Sequence, residues 1–86
     1  MPDPRDQTVC NLLYLIVCAL VDHPEAVRIE AWTHLGAITI TAYVSPADIG
    51  RVVGKQGQTV KSIRTVILGI ATKLERKYKF VIAGGA

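Results

Sequence analysis

Aromatic side chains make up only 6% of this 86-residue chain, and there is a single methionine. Any core must therefore be aliphatic, built from the Val, Ile, Leu and Ala that dominate a hydrophobic share of 50%. Cysteine is also scarce. Cys10 and Cys18 stand eight positions apart on one predicted helix, which separates them by about 12 Å along its axis, too far for a disulfide. No Cys/His cluster lies nearby, so they make no metal site and are read as core or boundary side chains. Long apolar runs are missing too. The longest, Leu12 to Val21, covers ten residues where a membrane crossing needs roughly 20, and it is read as a buried helix. Ahead of it, Met1 to Asp6 sets Asp3 and Asp6 against a lone Arg5, and no small-residue cleavage site follows the run. No secretory leader is expected on that pattern, and a cytoplasmic location without membrane association is expected.

Catalytic equipment is absent in the same sense. His23 precedes Pro24 in a turn and His34 falls in a hairpin loop, and neither is spaced with Ser, Cys or Asp for nucleophilic catalysis. Gly50 to Gln56 bears a passing likeness to the phosphate loop of nucleotide hydrolases. It fails because only three residues separate Gly50 from Gly54, and Gln56 stands where a magnesium-binding hydroxyl belongs. No enzyme activity, cofactor or metal is expected.

What is present is a strong division of charge. Residues 1–45 hold two cations against five acids, a net of −3, while residues 46–86 hold eight cations against two acids, a net of +6. A basic half of this kind suits a polyanionic partner, because clustered cations release condensed counterions on meeting phosphates. Length allows one core and no second domain, so the chain reads as a single domain over 1–86 with an ordered core of about 6–83.

Hydrophobic periodicity organises that domain. From Asp6 to Val21, apolar residues at Val9, Leu12, Leu13, Ile16, Val17 and Leu20 follow helical spacing, and Asp22-His23-Pro24 ends the helix. The period then changes to two. Val27, Ile29 and Ala31 alternate with Arg28, Glu30 and Trp32, and after Thr33-His34-Leu35-Gly36 a second strand runs through Ile38, Ile40, Ala42 and Val44. Ser45-Pro46-Ala47-Asp48 opens a short helix, with Ser45 as N-cap and Asp48 in its first turn. This helix ends at Gly54. After Gly57 a third helix runs to about Arg76 on the stripe Val60, Ile63, Ile67, Ile70, Ala71 and Leu74. Tyr78, Phe80 and Ile82 alternate as a last strand, and Gly84-Gly85-Ala86 is expected to fray. The class is α+β, in the order α-β-β-α-α-β, with a three-stranded sheet and helices packed on one face.

The chemistry concentrates in Gly54-Lys55-Gln56-Gly57, a turn between two helices. Two glycines remove the Cβ atoms that would hold a phosphate at a distance, and the unpaired N–H groups at the start of the third helix favour an anion there. Lys55 adds a cation, Gln56 a neutral donor, and Arg51, Lys61 and Arg64 lie one or two turns away to meet adjacent phosphates.

The stretch Ile49-Gly50-Arg51-Val52-Val53-Gly54-Lys55-Gln56-Gly57-Gln58-Thr59-Val60 resembles the core motif of K-homology (KH) domains, with Val53 before GxxG and Val60 three positions after it. The element order is similar to the type II KH fold. With the Asp22-His23-Pro24-Glu25 turn included, residues 8 to 82 resemble the KhpA family of small bacterial single-KH proteins. That resemblance implies a groove for about four single-stranded RNA nucleotides, with Lys55 and Gln56 on the sugar-phosphate chain. Ile49, Val53, Val60 and Ile40 or Ala42 would form an apolar floor, and Arg28 or the Thr33–Gly36 loop the opposite lip. Between Trp32 and Tyr78 the one aromatic is Tyr43, so bases would be held by van der Waals contact and a few hydrogen bonds. Trp32 and Tyr43 themselves read either as boundary packing or as a contact to RNA or a partner chain. Val66 and Leu68 leave the third helix with apolar surface to spare, which suggests a homodimer. The resemblance agrees, implying self-pairing, pairing with a larger KH-containing protein of the KhpB (Jag, EloR) kind, a role as RNA chaperone or post-transcriptional regulator, and a link to cell-envelope growth and cell shape. The alternative is a protein-interaction module that keeps the KH shape with little RNA binding.

Overall fold

A computed structural model describes residues 3–85; Met1, Pro2 and Ala86, and with them the last residue of the expected frayed end, lie outside the described residues. Helix α1 spans Pro4–Leu20 and starts two residues earlier than its apolar pattern. Asp3 is its N-cap, accepting from the Arg5 N–H at 2.8 Å, and Pro4 occupies the first helical position, where a missing N–H does no harm. Strand β1 (Arg28–His34) and strand β2 (Ala37–Val44) form an antiparallel hairpin, and helix α2 is only Ile49–Val53, preceded by a 3-10 turn at Pro46–Asp48. Helix α3 spans Gln58–Leu74, and strand β3, Tyr78–Gly84, pairs in parallel with β2. The sheet order is β1-β2-β3, and the expected α-β-β-α-α-β order is the order found.

Two boundaries differ for local reasons. The four-residue hairpin connection expected at Thr33–Gly36 tightens to Leu35-Gly36, both with positive φ (50° and 79°), the conformation whose twist matches the flanking strands. At the other end, Gly84 belongs to β3 and the Gly85 N–H donates to the Val44 carbonyl at 2.9 Å, so the strand holds where the sequence suggests fraying.

Alternation in β2 is complete: Ile38, Ile40, Ala42 and Val44 are buried, while Thr39, Thr41 and Tyr43 lie on the other face. Val9, Leu13 and Val17 from α1, Val52 from α2, Val60, Ile63 and Ile67 from α3, and Phe80 from β3 close over the buried side. Each fully buried Leu, Ile or Val adds roughly 1.5–3 kcal/mol. Among the described residues, the opposite face of the sheet has no helix on it. Trp32 is 75% exposed there, and the Arg28 guanidinium lies 4.4 Å from the Tyr43 ring centroid.

The run from Leu12 to Val21 is less buried than its composition suggests. Leu12, Tyr14 and Leu15 are exposed, because α1 rests on the sheet by one side and nothing among the described residues covers the other. Val66 and Leu68 are both exposed as well, but they do not make one surface. Two positions on a helix differ by about 200°, so they flank the buried Ile63–Ile67–Ala71 stripe on opposite sides. Leu68 faces the groove beside β3, and Val66 faces away from it.

Candidate nucleic-acid interface

Helix α2 ends because Gly54 takes φ 80° and ψ 171°, a region essentially closed to any residue with a Cβ. Its N–H still donates to the Gly50 carbonyl at 2.8 Å, sealing the helix. The same position is sterically closed: a Cβ on Gly54 would lie 2.2 Å from Thr59 Oγ1 and 2.8 Å from the Thr59 N. Lys55-Gln56-Gly57 then forms one tight turn, with the Gly57 N–H on the Gly54 carbonyl at 3.1 Å and the Gln58 N–H on the Lys55 carbonyl. Gln56 is left-handed (φ 55°, ψ 27°), and so is Gly57 (φ 74°, ψ 13°), the N-cap of α3. No side chain caps that helix. Apart from Gln58, whose N–H is already bonded, the first-turn N–H groups of α3 meet no capping side chain and lie beside the exposed Lys55 and Gln56, the arrangement that favours an anion.

The four cations expected around the turn do not share one fate. The Lys55 and Lys61 side chains have no internal ion-pair or hydrogen-bond partner among the described residues, and both residues are exposed. Arg51 is instead paired: its Nε lies 2.9 Å from an Asp22 oxygen and 4.0 Å from Asp48. Arg64 lies against β3, where its Nε and Nη2 donate to the Phe80 carbonyl at 3.3 and 3.1 Å. These contacts occupy part of each guanidinium and compete with a phosphate for it.

The apolar floor is also smaller than expected. Ile40 and Ala42 are 0% exposed and Val60 is 8% exposed, so the first two are core and offer no surface to a base. Strand alternation tells which face they occupy, and the helices fill that face. Ile49 and Val53 remain half-buried beside the turn. Ile49 packs against the end of β3, its Cδ1 3.0 Å from where a Cβ on Gly84 would stand. That contact identifies the wall opposite the turn as β3. The lip expected at Arg28 or Thr33–Gly36 belongs to the β1 hairpin, two strands and about 10 Å away. Arg28 there pairs with Glu30 at 2.9 Å. Parallel pairing of the last strand brings β3 to the site, and periodicity alone does not reveal pairing.

Asp48 holds the whole assembly in place. It is 1% exposed, and its two carboxylate oxygens accept the backbone N–H groups of Asp22 (3.1 Å) and His23 (3.0 Å). The turn after α1 is thereby fastened to the start of α2. A second buried acid, Asp6, accepts from Arg76 Nε (3.0 Å) and Nη2 and from the Tyr78 hydroxyl (2.7 Å). The Arg76 hydrogen bonds outweigh desolvation and hold the Asp6 carboxyl below its ordinary range. Burial, and then the hydrogen bond to Asp6, pushes the Tyr78 hydroxyl up to about 12. Through Arg51–Asp22 and Arg76–Asp6, part of the charge division between the two halves of the sequence is consumed internally.

Known proteins resemble the chain along most of its length. The family model described as KhpA/KhpB, KH domain, matches residues 11–82. An RNA-binding protein KhpA of Halalkalibacterium halodurans is 42% identical over 72 residues, covering 84% of this chain and 95% of that protein. Proteins of the same name are 41% identical over 72 residues in Listeria monocytogenes and 36% identical over 77 residues in Bacillus subtilis, again covering 95% of each relative. None of the three carries the name of an enzyme.

Proposed function

The chain belongs to the KhpA/KhpB family of KH domains, and from that premise we propose that it binds single-stranded RNA, with the Gly54–Gly57 turn gripping the sugar-phosphate backbone. The observation that carries this reading is the turn itself. Gly54 lacks the Cβ that would strike Thr59, α3 starts uncapped, and Lys55 and Gln56 stand exposed over that start. Lys61 supplies the second free cation, Arg51 and Arg64 join in competition with their contacts to Asp22 and Phe80, and Ile49 and Val53 meet the bases. With few rings to stack on, one domain binds weakly and with loose sequence preference.

Replacing Lys55 and Gln56 together by Asp tests the assignment. Asp accepts the left-handed conformation at position 56 better than most residues, so the fold is retained while crosslinking to single-stranded RNA is abolished. Unchanged crosslinking in a folded variant would remove the turn from the site. A single-stranded DNA of the same sequence, run beside the RNA, tells the two nucleic acids apart.

The cellular reading rests on the family resemblance: a cytoplasmic RNA chaperone or post-transcriptional regulator, linked to envelope growth and cell shape. It works as a homodimer or with a KhpB/Jag-like partner. Apolar side chains exposed on the helical layer, Val66 with Leu12 and Leu15, support pairing. Two linked domains would offset weak single-site affinity. Sedimentation that finds only monomer across a concentration series would remove self-pairing.

A further inference from the structure

A groove of about 530 Å³ runs between α3 and β3, away from the turn. Leu68, Ala71 and Phe80 form its apolar side, and Arg64, Lys77 and Lys79 stand along its margins. No acid lines it. One wall is the open edge of the sheet, since among the described residues β3 pairs only with β2. The Ile38 N–H donates to the Lys77 carbonyl at 2.8 Å and the Gly85 N–H to the Val44 carbonyl at 2.9 Å. In a parallel ladder this phase turns the odd-numbered residues of β3 toward β2 and the amide groups of Tyr78, Phe80 and Ile82 outward. The Phe80 carbonyl is covered by the Arg64 guanidinium; no partner outside the sheet is present for the outward N–H groups of Tyr78 and Phe80 among the described residues.

We propose that this edge binds an extended acidic polypeptide segment by strand addition to β3. Backbone groups of the segment would pair with Tyr78, Phe80 and Ile82, displacing Arg64 from the Phe80 carbonyl. Side chains of an added strand alternate between the two faces of the sheet. On the helix side they meet Leu68, Ala71 and Phe80, and on the open side they meet Lys77 and Lys79. The partner is therefore a segment in which apolar residues alternate with Asp or Glu, recognised by charge complementarity to two lysines that have no internal ion pair among the described residues. A nucleic acid fits the groove less well. The outward row of backbone groups on Tyr78, Phe80 and Ile82 matches the regularly spaced donors and acceptors of an extended polypeptide, which a sugar-phosphate chain does not present.

The test uses the full chain and a fluorescein-labelled peptide of alternating Glu and Val, followed by anisotropy and by amide chemical shifts. Expected are saturable binding, shifts at Tyr78, Phe80 and Ile82, and no binding of a Lys-Val peptide. Converting Lys77 and Lys79 to Glu should weaken binding about tenfold as two exposed attractions become repulsions, while circular dichroism reports an unchanged fold. The Lys55/Gln56→Asp variant should bind the peptide as the parent does, so this result stands or falls apart from the RNA reading. Absence of binding, shifts confined to the turn, or β3-edge shifts produced by a single-stranded RNA but not by the peptide would overturn the proposal.

Discussion

Asp48 and His23 are 25 residues apart in sequence, yet the carboxylate of the one accepts the backbone N–H of the other at 3.0 Å from a position 1% exposed to solvent. The turn that ends α1 and the segment that begins α2 are thus one joint. Replacing Asp48 by Ala leaves two backbone donors without their charged acceptor, and a loss of about 2–4 kcal/mol is expected in urea unfolding. Asn, which keeps one acceptor oxygen, should lose less than Ala. An Ala variant as stable as the parent would show that water replaces the carboxylate.

The two glycines of the turn should respond differently. Gly54→Ala meets both a forbidden backbone region and Thr59, and a loss of about 3 kcal/mol or more is expected. At Gly57, which sits in the left-handed region, a Cβ would find no atom beyond its chain neighbours within 4 Å. Gly57→Ala should lose only about 1 kcal/mol, and Gly57→Asn less still, because Asn visits that region. Thermal unfolding of the three variants gives the order.

Glu75 ends α3 in the left-handed conformation (φ 57°), with the Arg76 N–H on the Ala71 carbonyl at 3.0 Å. Glycine is the preferred residue at this point, and an acid beside the negative end of a helix is unfavourable. Glu75→Gly is expected to stabilise the fold by about 0.5–1 kcal/mol, read as a raised urea midpoint.

The Asp6–Arg76–Tyr78 cluster makes stability fall at both ends of the pH scale. Asp6 keeps its charge to lower pH folded than unfolded, so its contribution is complete above the ordinary carboxylate value of about 3.9 and is lost as pH drops through the folded one. Tyr78 has the opposite sign. Its folded value of about 12 exceeds the ordinary 10, so its contribution is complete below pH 10 and disappears between 10 and 12. Urea midpoints across pH should show both declines. Asp6→Asn should flatten the acidic one, and Tyr78→Phe the alkaline one.

Reading the chain by its own periodicities recovers most of the fold, for reasons visible in particular residues. Ile38 to Val44 alternate because β2 lies centrally with one face under helices, and Val60, Ile63, Ile67 and Ala71 keep helical spacing because α3 lies on that same face. The Gly54–Gly57 turn is legible because glycine is required by local backbone geometry. Long-range partners are not. Asp48 reads as an ordinary first-turn acid, and Arg51 and Arg64 as free cations, until folding brings Asp22, His23 and Phe80 beside them. Ile40 reads as groove floor because alternation gives a face and not what covers it.

Asp6 and Arg76 lie 70 residues apart, and Phe80 beyond them completes the core. The start of the first helix therefore lacks its buried ion pair until residue 76 has been made. During synthesis the emerging chain cannot settle segment by segment. It must remain unfinished on the ribosome until β3 arrives beside β2, and the domain then closes in a single late step.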